Sequence, residues 1–370
     1  MEIVLISDGP LPLDSPVRKL PFFFPARLID MARVSPKTVG DAGLAIVELL
    51  NATDAGLSAL KASWASIAEI PVYCLASKTI RREVIQASAL GKSEVMDRDT
   101  PLALMLKRIK ARTNTDPLAD LPIETSEKVK KAFLKTDAFL ETLCLSAVTE
   151  ANIQIKAMDD SASELLTAID LDGLTSWLEA VQCHHSGTYS HSLVVAGIAG
   201  AFARFLGWSE ADCREMIAGG LVHDIGKMRI PLTILDKPGE LTNEERALID
   251  KHPVFGQEVL KPRLEVPIDI KKMAIQHHEF LDGSGYPNGL KGSRITPKVR
   301  MMTICDIFTA LTEERAYKEG VPVRTAISIM KEMGGKLDQQ MLAQFAGMVL
   351  NRSFGEVSRT KAVAGSGAAA

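Results

Sequence analysis

Along residues 1–115, short apolar runs alternate with amphipathic stretches. Glu2–Ser7 (EIVLIS), Ala45–Leu50 (AIVELL) and Pro71–Ala76 (PVYCLA) read as buried strands. Gly56–Ala68, Lys78–Leu90 and Leu102–Arg112 carry helical spacing, and the basic residues ending the last of these suit a helix C-terminus. Strands separated by helices predict a parallel, doubly wound α/β sheet. The polar, Pro-containing stretch Asn114–Leu121 (NTDPLADL) breaks this rhythm and reads as a boundary. A long helical pattern follows from Glu124 to about Ile155. From about residue 160 the pattern is helical with almost no strand signal. Ser190–Leu206 stops at Gly207; Ser209 with Asp212, and Thr242 with Glu245, stand at capping-box spacing; Ile268–Phe280, Thr296–Lys318, Arg324–Lys331 and Asp338–Val349 complete the series. The pattern predicts a two-domain chain: an α/β domain over 1–115, a helical linker over 116–160, an all-α helical bundle over 161–355 and a flexible tail over 356–370.

Composition narrows the function classes. The chain has 370 residues, 46% hydrophobic and 24% charged, which suits two globular cores and argues against long disorder. A net charge of −3 argues against a nucleic-acid binder relying on a basic surface. No apolar run approaches a membrane span, and Met1–Asp8 lacks a basic n-region, so neither a membrane span nor a signal peptide is expected. Five scattered cysteines without a C-x-x-C read as reduced thiols of a cytoplasmic protein.

Histidine points to the chemistry. All seven histidines fall between His184 and His278, a window of 95 residues. Five of them, with two aspartates, form a constellation spread over 116 positions: His191, His223-Asp224, His252, His277-His278 and Asp306, read as lying on five helices. Neighbouring helical residues project about 100° apart, so His223 and Asp224 can serve one centre. A carboxylate can bridge two cations and an imidazole cannot, which makes Asp224 the natural middle of a dinuclear site. Imidazole with carboxylate and without thiolate suits iron or manganese. Paired metals of this kind serve phosphodiester cleavage.

HDIGK (223–227) followed by HHEFLDGSGYPNGLKG (277–292) resembles the HD-GYP family, a branch of the HD-domain metal-dependent phosphohydrolases. Ile230-Pro231, the run from Ile234 to Thr242, Asp306–Thr312 and Arg315–Lys318 extend the resemblance over about residues 165–350. It implies bacterial signal transduction by hydrolysis of cyclic di-GMP to pGpG, with GMP as a further product left open. It implies one ion on His191, His223, Asp224 and Asp306, and another on Asp224, His252, His277 and His278. Asp224 and Lys227 would be catalytic, with Lys227 on the scissile phosphate and a metal-bridging hydroxide as nucleophile. Arg315 and Lys318 match family positions that hold the substrate phosphates. Gly285 and Tyr286 lie in a loop to which the family assigns substrate access and contact with a GGDEF-type cyclase; a homodimer is a further expectation. Some members carry a Glu four residues before the first histidine, supporting a third metal. Gly187 stands there, so two ions are expected. His184 and His185 are read as residues of a helix start.

The N-terminal rhythm resembles a response-regulator receiver domain, with its phospho-acceptor chemistry degenerate. Asp8-Gly9 offers one acid after the first strand, Leu49-Leu50-Asn51-Ala52 offers no Asp, Ser77 takes the hydroxyl position, and Asp97-Arg98-Asp99 stands where a Lys belongs. A regulatory or dimerising role is expected. Two alternatives to the leading function remain open: an HD phosphohydrolase acting on another nucleotide, and a catalytically weak cyclic-dinucleotide sensor or scaffold.

Overall fold

The computed structural model describes residues 2–12, 15–113, 116–119, 121–182, 187–235, 237, 239–313 and 320–350. The chain divides into two compact units, Met1–Ala119 and Asp120–Ala370. The first is built on five parallel strands: β1 (Ile3–Ser7), β2 (Ala26–Asp30), β3 (Leu44–Glu48), β4 (Val72–Ala76) and β5 (Glu94–Asp97). Their order, β2-β1-β3-β4-β5, is that of flavodoxin-like doubly wound sheets. Helices α1 (Pro36–Val39), α2 (Asp54–Ala62), α3 (Arg81–Ala89) and α4 (Leu102–Thr113) connect and follow the strands. The three central strands, β1, β3 and β4, are buried along their whole length, as a sheet covered on both faces requires. The edge strands β2 and β5 are only partly buried and carry polar residues, so they lack the continuous apolar signal that marks the other three. The expected helix Gly56–Ala68 is α2 followed by a short 3-10 turn, Trp64–Ser66.

The second unit is helical. The stretch after the break forms two helices rather than one: α5 (Glu127–Thr149) ends at Glu150, which takes a left-handed backbone conformation, and α6 (Ile155–Gln182) begins after it. Helix α5 packs along α6, and α6 packs on α7 (Gly187–Phe205) and α8 (Glu210–Val222). Then come α9 (Leu232–Leu235), α10 (Asn243–Ile249), α11 (His252–Leu260), α12 (Ile268–Gln276), α13 (Pro297–Thr312), α14 (Val323–Glu332) and α15 (Gln339–Leu350). Aromatic side chains fill the core. Phe345 meets Phe202 and Phe308 edge-on at 5.0 Å, and the fully buried Trp177 donates its indole N–H to Leu193 O at 3.1 Å. Helix α8 touches α7, α12 and α13, so the elements carrying the histidine constellation surround its C-terminal end. No helix among the described residues is long and apolar enough to cross a membrane. The described cysteines, Cys74, Cys144, Cys213 and Cys305, are buried free thiols.

The carboxyl edge of the sheet departs from the sequence reading in one respect. Strand β3 ends at Glu48 and not in the Leu49–Ala52 segment, so an acid does stand at the strand end. That acid is engaged. Arg98, just beyond β5, reaches Glu48 Oε1 and Glu83 Oε2, each at 2.9 Å. Ser15 Oγ donates to Glu48, Leu50 N donates to Glu48 at 3.0 Å, and Ser77 N donates to Glu83 at 2.7 Å. Asp8 is occupied as well, accepting both the backbone N–H and the hydroxyl of Thr53 at the start of α2. The carboxylates at this edge are tied to the protein itself. Arg98→Ala should strand two buried carboxylates and cost about 3–5 kcal/mol, the usual penalty for breaking a buried pair. Urea denaturation followed by circular dichroism would read this as a lower midpoint, and an unchanged midpoint would refute the role of the triad.

Candidate metal centre

Helix ends, more than helix bodies, build the site. His191 lies in the second turn of α7 and Asp306 in the middle of α13. His223 caps the C-terminus of α8, and Asp224 opens the 3-10 turn Ile225–Arg229 that carries Lys227. His252 is the first residue of α11. Helix α12 ends at Gln276, four residues short of the expected Phe280, with His277 as its cap and His278 following. Five helices do supply the constellation, yet most of its members sit at their tips, where the backbone turns and adjacent side chains can diverge.

Asp224 lies between two sets of nitrogens. Its Oδ2 is 3.3 Å from His223 Nε2 and 3.9 Å from His191 Nε2. Its Oδ1 is 3.3 Å from His252 Nε2 and 4.0 Å from His277 Nε2. Asp306 Oδ1 lies 3.0 Å from His191 Nε2 and 3.8 Å from His223 Nε2, while its Oδ2 faces His278 Nδ1 at 3.9 Å. Three triads, His191–His223–Asp306, His223–Asp224–His277 and His252–His277–His278, each bring their donor atoms within 4.8 Å of one another. All are buried except His278, whose side chain is 24% exposed.

The outer ring nitrogens fix the orientation of the inner ones. Nδ1 of His223, His252 and His277 lies 2.7, 2.9 and 3.0 Å from the carbonyls of Gly220, Ile249 and Met273. A carbonyl only accepts, so each Nδ1 carries the proton and each Nε2 turns a lone pair inward, the tautomer that a metal ligand needs. Two consequences fit a cation. The buried Nε2 of His223 makes no hydrogen bond among the described residues. The Nε2 atoms of His252 and His277 face each other at 3.1 Å, lone pair against lone pair.

Electrostatics agree. Burial drives His252, His277 and His278 down to about 3, so these imidazoles are neutral at physiological pH. Burial opposes ionisation of Asp224, but Lys227 and His223 outweigh it and hold the carboxyl well below its ordinary range. Asp306 behaves alike, its burial overcome chiefly by the hydrogen bond from His191. His191 differs: burial lowers it, but the hydrogen bonds to Asp306 and Glu313 outweigh that and raise it to about 9, so a cation at its Nε2 would displace a proton. Imidazoles and ionised carboxylates without a thiolate are the donor set of a hard or borderline divalent cation.

The remaining predicted residues take up distinct places. Lys227 Nζ lies 2.5 Å from Asp224 Oδ2. Tyr286 stacks on His278, ring centroids 4.8 Å apart and planes 23° from parallel, and its backbone N–H donates to His278 O at 3.1 Å. A Cβ at Gly285 would fall 2.4 Å from His278 O, so only glycine lets the loop lie against the histidine pair. Arg315 and Lys318, like His184 and His185, lie outside the described residues.

Two acids went unassigned in the sequence reading. Glu279, buried at 2% exposure, accepts the backbone N–H groups of Asn288 at 2.6 Å and Leu290 at 2.8 Å and so ties the loop to the residue after His278. Glu313 Oε2 lies 3.2 Å from His191 Nδ1. A signal for Glu313 existed: it stands seven residues after Asp306, two turns on along the same helix face.

Comparison with known proteins bears on the same region. Residues 175–341 match the family model described as HD domain. A cyclic di-GMP phosphodiesterase of Pseudomonas aeruginosa is 40% identical over 158 residues, 43% of this chain and 38% of that protein. A 3'3'-cGAMP-specific phosphodiesterase of Vibrio cholerae is 37% identical over 159 residues, 43% of this chain and 34% of the relative. A cyclic di-GMP phosphodiesterase response regulator of Xanthomonas campestris is 34% identical over 165 residues, 44% of each chain. The chain thus spans less than half the length of these curated relatives. Among solved structures, an HDG"Y"P protein from Bdellovibrio bacteriovorus shares the fold, with TM-score 0.51 and 18% identity over 66% of this chain and 80% of that one.

Gly226 sets the distance between the Asp224 turn and α11. A Cβ there would stand 1.9 Å from His252 O and 2.5 Å from Gly256 N. Gly226→Ala should push the turn off His252 and weaken Mn(II) uptake by about tenfold or more, the scale on which displaced supporting groups act. Gly256→Ala is the control, since its Cβ would meet nothing closer than 3.8 Å. Equal metal content in the two variants, by elemental analysis, would refute this account.

Proposed function

We propose, from the premise that residues 175–341 form an HD domain, that the helical unit holds two divalent metal ions, iron or manganese, and hydrolyses cyclic di-GMP to the linear dinucleotide pGpG. The observation that carries the reading is the bisected carboxylate: Asp224 turns Oδ2 to His191 and His223, and Oδ1 to His252 and His277. One ion would be held by His191, His223, Asp224 and Asp306, the other by Asp224, His252, His277 and His278. Such ions, when bound, supply Lewis acidity toward the phosphodiester and a hydroxide nucleophile at neutral pH. The protein's own part is to hold these donors ionised or neutral as required and to keep them out of bulk water. Lys227, with its side chain 20% exposed, can turn its ammonium from Asp224 to a phosphate oxygen. Arg315 and Lys318 are assigned to the substrate phosphates, and Gly285 and Tyr286 to the loop over the site. That loop is also the surface proposed to meet a GGDEF-type cyclase.

The sheet unit is proposed to regulate or dimerise as a receiver-like domain without phosphoryl transfer, a reading supported by its strand order and by the Glu48–Arg98–Glu83 triad. The chain is proposed to act in the cytoplasm. One observation favours a second substrate, 3'3'-cGAMP, because relatives named for it match over the same length as those named for cyclic di-GMP.

The test is anaerobic hydrolysis by the full chain reconstituted with Fe(II) or Mn(II), with both cyclic dinucleotides offered and products separated by chromatography. Turnover of cyclic di-GMP to pGpG, faster than of 3'3'-cGAMP, is expected. The reverse preference would select the second substrate, and no turnover of either with both ions loaded would overturn the enzyme reading. Asp224→Ala should lose activity and metal together. Lys227→Ala should keep its metal and lose about a hundredfold or more in kcat, the scale for removing one preorganised charge-stabilising donor. Metal lost from that variant would show that Lys227 has been given the wrong task.

A further inference from the structure

His191 is oriented differently from the other inward-facing histidines. Three of them set their tautomer with a backbone carbonyl three or four residues earlier in their own chain segment. These acceptors are uncharged and local: Gly220 and Met273 lie in the helices that His223 and His277 cap, and Ile249 ends α10 just before α11 begins at His252. His191 instead faces a carboxylate 122 positions away, with Glu313 Oε2 3.2 Å from its Nδ1. The other carboxylate oxygen of Glu313 accepts from the hydroxyl of Ser190 at 3.4 Å. Glu313 sits just past the C-terminus of α13, its backbone N–H bonded to Thr309 O at 2.9 Å. One helix therefore presents Asp306 to the inner nitrogen of His191 at 3.0 Å and Glu313 to the outer one.

We propose that Glu313 is a positioning residue that makes the two metal sites unequal, by holding His191 as a strong inward donor on one side of Asp224 only. The inference rests on the two-ion reading above and concerns a residue to which that reading gives no part. Geometry excludes Glu313 as a ligand of the same ion, because it lies on the Nδ1 side of His191 while Asp224 and Asp306 lie on the Nε2 side. A carboxylate on the outer nitrogen draws the Nδ1 proton toward itself and increases electron density at Nε2, more than a neutral carbonyl does. The site containing His191 and Asp306 thus gains donor strength that the site of His252, His277 and His278 lacks. The gain depends on a single side chain outside the ligand set.

Titration of Mn(II) into the metal-free full chain, followed by electron paramagnetic resonance of the free ion, tests this without an activity assay. Wild type should take up two equivalents. Glu313→Ala should keep one at the wild-type affinity and weaken the other by about 10- to 100-fold, the range seen when such outer partners are removed. Glu313→Gln keeps an acceptor without the charge and should fall between the two. Unfolding would weaken both equivalents, so retention of one is the internal control. Two unchanged equivalents in Glu313→Ala, or an equal loss at both, would overturn the proposal. Fewer than two equivalents in wild type would instead overturn the two-ion reading, and the positioning role is then judged on whether Glu313→Ala weakens whatever ion remains.

Discussion

The helical unit is organised around the cost of burying one ionised carboxylate. An uncompensated charge in a protein interior costs several kcal/mol, and Asp224 is buried, with 5% of its surface exposed. It is kept ionised by Lys227 on one oxygen and by imidazoles around both. To surround a single carboxylate from several directions, a helical protein must bring several helix ends together, since one helix face can offer donors from one side only. The turn at Asp224, the glycine at 226 and the starting position of α11 all serve that convergence.

The two units treat buried acids in opposite ways. In the sheet unit, Glu48 and Glu83 close on Arg98 and on backbone N–H groups, so the donors and acceptors are matched within the protein. In the helical unit the match is left incomplete. His223 Nε2 has no hydrogen bond among the described residues, and two Nε2 lone pairs face each other. A folded protein retains such mismatches at a cost in stability, and they are concentrated where a cation can relieve them.

Much of this was legible in the sequence. Continuous apolar runs marked the three central strands because those strands are buried on both faces, and the edge strands escaped because half of each meets solvent. The histidine constellation was visible because residue identity alone carries metal chemistry. What periodicity could not supply was the helix ends. The run from Glu124 to Ile155 looks like one helix by its apolar spacing, yet Glu150 leaves the helix with a left-handed backbone. Glu48 was passed over because the expected strand boundary was two residues late, a shift that moved the acid from the strand end into its interior. Glu279 and Glu313 were hidden for another reason: their roles are defined by hydrogen bonds to backbone or to a distant ring, and the seven-residue step from Asp306 to Glu313 is the one trace of them in the spacing.

The loop after His278 is fastened to the histidine pair at closely spaced points. Glu279 holds the backbone at Asn288 and Leu290, Tyr286 bonds to His278 O and stacks on its ring, and Gly285 lies flush against the same carbonyl. Mechanically this is a buckle and not a flap. A pull on the loop passes to His278 through Tyr286 and to its neighbour Glu279 through Asn288 and Leu290. Whatever grips the loop from outside therefore also grips the histidine pair beneath it.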